Sequence, residues 1–158
     1  MSAPATLDHA GIAARVPHAG AMCLLANLLR WNDDEIECGI DNHADPTHPL
    51  RELDGSGAQV LPAPVAIEYA AQAMALHASL KTAAGESPTP GFLASARDVQ
   101  VHVPSLDTAR GPLVVVARRL AGDERQAVYR FVLRDAAGRP LVEGRATVVL
   151  NTPLPTPS

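Results

Sequence analysis

Aromatic side chains make up only 3% of the sequence, Trp31 beside two Tyr and two Phe, so a folded core has to be assembled mainly from Ala, Val and Leu. Small side chains imply close backbone packing. Cysteine is nearly absent as well: Cys23 and Cys38 are the only two, and neither stands in a CxxC or CxxC…H pattern. That removes the disulfide-scaffold and zinc-ribbon classes. No apolar stretch reaches the ~20 residues of a membrane-spanning helix. The N-terminus has neither a basic n-region nor an apolar h-region, so it does not read as a secretory signal. An excess of positive charge is also missing. The 13 basic and 17 acidic side chains leave a net charge of -4, and the basic residues are spread along the chain rather than gathered in runs, which argues against a nucleic-acid partner. What these absences leave is a cytoplasmic protein with free thiols.

The 158 residues and 47% hydrophobic content fit one globular domain that needs no disulfide or metal staple. Residues 1–9 and 151–158 are rich in Pro, Ser, Thr and Ala and read as tails around a domain spanning 10–150. Met22 to Trp31 is a short apolar run whose length favours a strand, with or without a helical lead-in. Glu35 to Ile40 alternates, with Ile36, Cys38 and Ile40 on one side, as a half-buried strand does. Asp41 to Val60 carries Pro46, Pro49, Gly55 and Gly57 among polar residues, which is loop chemistry, and loops of that length inside a compact domain tend to be functional.

Pro64 to about Thr82 is dominated by strong helix formers and opens with Pro near the first helical position. Alanines surround this helix on nearly every side, which predicts enclosure by other structure. Beyond Gly91 the period changes. Val99, Val101 and Val103 alternate with polar residues, and strand-like stretches follow at Leu113 to Leu120, Gln126 to Arg134 and Leu141 to Leu150. The turns Ala121–Glu124 and Asp135–Gly138 join them into an antiparallel meander. The predicted fold is α+β, with an antiparallel sheet wrapped around one long central helix.

Within that helix Glu68 stands among Ile67, Ala70, Ala71, Ala73 and Met74, with Gln72 at i+4 on the same face. Two readings are open: Glu68 lies on an exposed stripe, or it is an acid held near neutrality by burial, with Gln72 fixing its rotamer. The candidate bases are the six histidines. His9 falls in the tail, His102 points to the polar side of its strand, and His77 lies nine residues beyond Glu68, about 180° around the helix. His43 and His48 share the loop with Asp41 and Asp45. The string DNHADPTH has neither a third imidazole nor HExxH spacing, so a solvated turn is favoured over a metal site. His48 is the better single candidate and His43 the fallback. Cys23 and Cys38 read as core residues rather than nucleophiles.

Taken in order, several motifs resemble one family. Val16-Pro17-His18 with Met22-Cys23-Leu24-Leu25 is similar to the "LPHR…PFLLVDR" opening of the 3-hydroxyacyl-[acyl-carrier-protein] dehydratases. Leu61 to Gln72 (LPAPVAIEYAAQ) resembles their "MPGVLIIEAMAQ". Gly91-Phe92-Leu93, Val99 to Pro104 and Leu106-Asp107 resemble "YLAGIDKVRFRRPVVPGD". The helix text IEYAAQAMALH also looks like the dehydratase-like subunits of aryl-polyene pigment clusters. The resemblance implies a hot-dog fold acting as a homodimer or heterodimer with another hot-dog subunit. It further implies a lyase that eliminates water from a 3-hydroxyacyl thioester on the 4'-phosphopantetheine arm of an acyl carrier protein.

Carried over by position, a His from one protomer and the helix carboxylate of the other form the site. These are His48 and Glu68, with Pro62, Ala63 and Gln72 holding the substrate and the Ala63 amide serving the thioester oxygen. Ala63 stands where the family has glycine, and that amide can serve only if the backbone there does not require glycine. His48 and Glu68 are twenty positions apart, against fourteen in the family, and the flanking glycine and phenylalanine of its histidine motif are absent here. His18 reads as structural. No metal or organic cofactor is demanded. Two alternatives accompany the dehydratase: a hot-dog acyl thioesterase in which Glu68 activates water, and a non-catalytic subunit supporting an active partner, to which the altered histidine motif points.

Overall fold

The computed structural model describes residues 6–16, 22–81, 92–123 and 125–149. Seven strands form one antiparallel sheet: β1 (Leu7–Asp8), β2 (Asn27–Trp31), β3 (Glu35–Ile40), β6 (Phe92–Val101), β7 (Leu113–Gly122), β8 (Gln126–Arg134) and β9 (Pro140–Val149), in the order β1-β2-β3-β7-β8-β9-β6. A small separate hairpin joins β4 (Glu52–Leu53) to β5 (Gln59–Val60). Helix α1 (His9–Ala13) precedes β2, and a 3-10 turn (Ala63–Val65) leads into α2 (Ala66–Lys81).

Period-2 alternation explains the meander. In β8, Ala127, Tyr129, Phe131 and Leu133 are buried and the residues between them are not, so one sheet face forms the core and the other meets water. α2 lies against the core face, packed on β3, β7, β8, β9 and β6. Eleven of its sixteen residues are buried, Tyr69, Met74, Leu76 and His77 among them. The expected enclosure is present, and it is incomplete along one stripe: Ile67, Glu68, Ala71 and Ala78 are half-buried.

Three boundaries differ from expectation. Leu7 and Asp8, predicted within a tail, pair with Leu28 and Asn27, and His9 is anchored by its Nδ1 at 2.9 Å from the Leu25 carbonyl oxygen. Within the expected apolar run, Cys23 to Ala26 are neither helix nor strand, so β2 begins only at Asn27. β6 begins at Phe92 and ends at Val101, so Val103 lies outside it. The alternation of Val99 and Val101 continues in the sequence to Val103, but Pro104 follows, and a proline donates no N–H to extend the ladder.

Candidate functional site

The segment from Asp41 to Arg51 is a run of tight turns. Asp45 Oδ1 accepts the Thr47 amide and hydroxyl, each at 2.8 Å, and its carbonyl accepts the His48 amide at 3.1 Å. Arg51 folds back over these turns: Nε donates to the Asp45 carbonyl at 2.6 Å and Nη2 to the His43 carbonyl at 2.9 Å. Its remaining Nη pairs with Asp107. The second Asp107 oxygen accepts the Leu61 amide at 2.6 Å. Burial alone would push the Asp107 carboxyl up, but the Leu61 amide and the Arg51 guanidinium together hold it below the ordinary carboxylate range. One guanidinium, 8% exposed, therefore ties the histidine loop to the entry of α2.

The two loop histidines are both buried, at 4% for His43 and 5% for His48, and are used differently. The Leu50 amide donates to His48 Nδ1 at 3.1 Å, which places the neutral ring's proton on Nε2. Nε2 then donates to the Tyr69 hydroxyl at 2.9 Å, and Tyr69 donates to Asn42 Oδ1 at 2.8 Å. Both His48 nitrogens are thus occupied. Burial chiefly, with the nearby Arg51 charge, lowers the His48 pKa, while Asp45 and Asp107 partly oppose this. His43 Nε2 lies 3.0 Å from the Ala109 carbonyl, to which it can only donate, and its buried Nδ1 has no hydrogen-bond partner among the described residues. A neutral His43 therefore carries a free lone pair on Nδ1.

Glu68 is half-buried on the open stripe of α2. Tyr69, one position on and 100° around the helix, faces inward to His48. In one chain, then, the His48 imidazole lies on the enclosed side of α2 and the carboxylate on the side left partly open. The expected Gln72–Glu68 contact does not form. Gln72 Oε1 accepts the Leu24 amide at 2.8 Å and its Nε2 donates to the Met22 carbonyl at 2.7 Å, so this fully buried amide fastens the segment before β2 onto α2.

Pro62 caps the 3-10 turn in extended conformation and bridges to Ser105. The Val65 and Ala66 amides are used within the turn, and the buried Ala63 amide faces the Pro104 carbonyl across the Pro62–Ser105 bridge, since Pro62 has no N–H to make that bridge itself. Ala63 is not among the residues of positive φ, so alanine in the glycine position carries no backbone penalty.

His77 bridges the Tyr129 hydroxyl at 2.6 Å and the Asn32 carbonyl at 2.7 Å on the far side of α2, and His102 pairs with Glu143 at 3.0 Å. His18 lies outside the described residues. Burial raises both thiols, Cys38 to about 12, which makes them poor nucleophiles. Among the described residues no three His, Cys, Asp or Glu side chains gather as a metal site would need, and no helix is long and apolar enough to cross a membrane. Sequence reading missed Asn42, Arg51, Tyr69, Asp107 and the Ala109 carbonyl. Arg51 and Asp107 are 56 residues apart, and neither stands in a periodic pattern that would single it out.

Among solved structures, the chain is similar to the dehydratase heterocomplex ApeI:P from Xenorhabdus doucetiae, with 25% identity, a TM-score of 0.76, and coverage of 89% of this chain and 91% of that one. It also resembles the thioesterase HI1161 from Haemophilus influenzae, at 15% identity and a TM-score of 0.62 over 98% of both chains. S. sahachiroi AziG matches at 17% identity and a TM-score of 0.56, over 78% of this chain and 88% of that one. The last two likenesses establish the hot-dog fold alone. No curated protein sequence matched. The model of the ApeP-like family, described as ApeP dehydratase, matches residues 10–155, and with nearly the whole hot-dog domain inside that match, the chain belongs to the ApeP-like dehydratase family.

Proposed function

We propose that this dehydratase removes water from a 3-hydroxyacyl thioester carried on an acyl carrier protein, with His43 as the base. The observation that carries the assignment is the contrast between the two loop imidazoles. His43 keeps a lone pair on Nδ1 while the Ala109 carbonyl fixes its other nitrogen as the donor, which is the state a general base must start from. In the same loop His48 has no free nitrogen. The fallback from the sequence thus becomes the leading candidate, and His48 becomes a positioning residue.

In this scheme Nδ1 takes the α-proton of the thioester and the electron pair moves toward the carbonyl, whose oxygen is met at the positive end of α2 by the Ala63 amide when that amide exchanges the Pro104 carbonyl for the substrate. The carbon–oxygen bond at the β-position then breaks, and Glu68 delivers a proton so that water leaves. The products are the α,β-unsaturated thioester and water. Pro62 and Ala63 line the thioester end of the site, and Gln72 acts on the backbone that borders it.

The monomer leaves Glu68 half-open beside Ile67, Ala71 and Ala78. A second hot-dog subunit covering this alanine-rich stripe would supply the dry surroundings an acid needs and set one subunit's imidazole against the other's carboxylate. The similar ApeI:P structure is itself a heterocomplex, which supports a heterodimer over a homodimer. The reaction is placed in the cytoplasm, where the two thiols stay reduced.

The test is an assay with a 3-hydroxyacyl thioester on a carrier protein, with the chain alone and mixed with a second hot-dog dehydratase subunit. The expected product is the unsaturated thioester, with His43→Gln and Glu68→Gln each lowering turnover at least about a hundredfold. Release of free thiol instead would make the protein a thioesterase. Unchanged turnover of the mixture with both variants would make it a non-catalytic subunit.

A further inference from the structure

The strand register gathers four arginines that the sequence scatters. Arg97 on β6 stands directly opposite Arg145 on β9, Arg145 opposite Arg130 on β8, and Arg130 opposite Arg118 on β7. All four are exposed. They project from the outer face of the sheet, since Ala117, Tyr129, Phe131, Gly144 and Ala146 beside them are buried. With neighbouring strands about 4.8 Å apart, the row crosses four strands in about 14 Å.

The ion pairs formed among the described residues engage Arg30, Arg51, His102 and Arg139, and none engages this row. Glu35, opposite Arg118 on β3, is held by Arg30 at 2.8 Å. Glu143 is held by His102 at 3.0 Å, and with Asp98 it borders a depression of about 250 Å³ next to Arg130 and Arg145. Like charges directly opposite each other on one sheet face are destabilising. The arrangement persists in a chain whose net charge is -4, at exposed positions where a neutral polar residue would serve the fold better.

We propose that this row is a docking surface for an acidic α-helix of a partner protein, lying across the strands. A helix with Glu or Asp at i, i+4, i+7 and i+11 presents one carboxylate per turn of about 5.4 Å, close to the strand spacing. The planar guanidinium receives each carboxylate through two parallel N–H donors. A nucleic-acid strand fits less well, because Asp98 and Glu143 border the row and the chain as a whole repels a polyanion. A second copy meeting this face symmetrically would set arginine against arginine. The surface is on the sheet face opposite α2, so it stands independently of the reaction proposed above.

The test uses the full chain at low salt and a fluorescent alanine-based helical peptide with four Glu on one face. Parallel arms use a scrambled peptide of the same composition, oligo-deoxythymidylate and phosphatidylglycerol vesicles. The face-matched peptide should bind most tightly. The double variant Arg130→Gln/Arg145→Gln should weaken it at least about tenfold, whereas Arg125→Gln, off the row, should not. Melting temperature keeps the result interpretable, because relieving the like-charge contacts should leave the double variant at least as stable as the parent. Equal binding of the scrambled peptide, tighter binding of the oligonucleotide or vesicles, no binding at all, or a double variant that binds undiminished would each overturn the proposal.

Discussion

His48 Nε2 donates a hydrogen bond to the Tyr69 hydroxyl at 2.9 Å, and that hydroxyl donates to Asn42 Oδ1 at 2.8 Å. This relay ties the histidine loop to the first turn of α2 and consumes the imidazole that the sequence pattern favours. Tyr69→Phe would leave the buried His48 Nε2 and the half-buried Asn42 Oδ1 without this partner. It should destabilise the protein by about 1–3 kcal/mol in urea unfolding while costing turnover much less than His43→Gln. An equal loss of turnover with unchanged stability would return His48 to the catalytic role.

Stability should depend on pH through the buried histidines. Burial lowers the pKa of both His48 and His77 in the folded chain, so between the folded value and the unfolded value of about 6.5 the unfolded chain binds more protons. Stability is therefore full above about pH 6.5 and is lost as pH falls below it. The urea midpoint should be level between pH 7 and 8 and drop toward pH 5.5. His77→Gln should flatten that drop, and an unchanged slope would mean the acid sensitivity lies elsewhere.

Arg51 holds two loop carbonyls and Asp107 with one planar group, a geometry that lysine cannot reproduce. Arg51→Lys should cost about 1–3 kcal/mol of stability and also lower kcat, because the His43 carbonyl loses its anchor. A variant with full kcat and parental stability would show that the loop holds its shape unaided.

Gln72 separates a structural role from a catalytic one. Gln72→Leu strands the Leu24 amide and the Met22 carbonyl and should lower stability by about 1–3 kcal/mol, with the alkaline limb of the pH–rate profile, where the proton donor ionises, unmoved. A shift of that limb would mean that Gln72 tunes Glu68 after all.

Much of the architecture was legible along the chain. Ile36, Cys38 and Ile40 alternate and form β3, the three C-terminal strands lie within two residues of their expected limits, and the alanine-rich stretch is the central helix. Misplaced elements were those whose signal is weak locally. Leu7–Asp8 is a strand because β2 offers an edge to pair with, and the polar composition around it carries no trace of that edge.

The residues by themselves determined the α+β class and the position of Glu68 on its one long helix, because side-chain periodicity and helix propensity act over a few neighbouring positions; the hot-dog class followed from the motifs' resemblance to a known family. Tertiary structure decided which imidazole keeps a free lone pair, since the Ala109 carbonyl that fixes His43 lies 66 residues away. It also lined up Arg97, Arg145, Arg130 and Arg118, a row set by strand register, which a one-dimensional reading of dispersed charges does not contain.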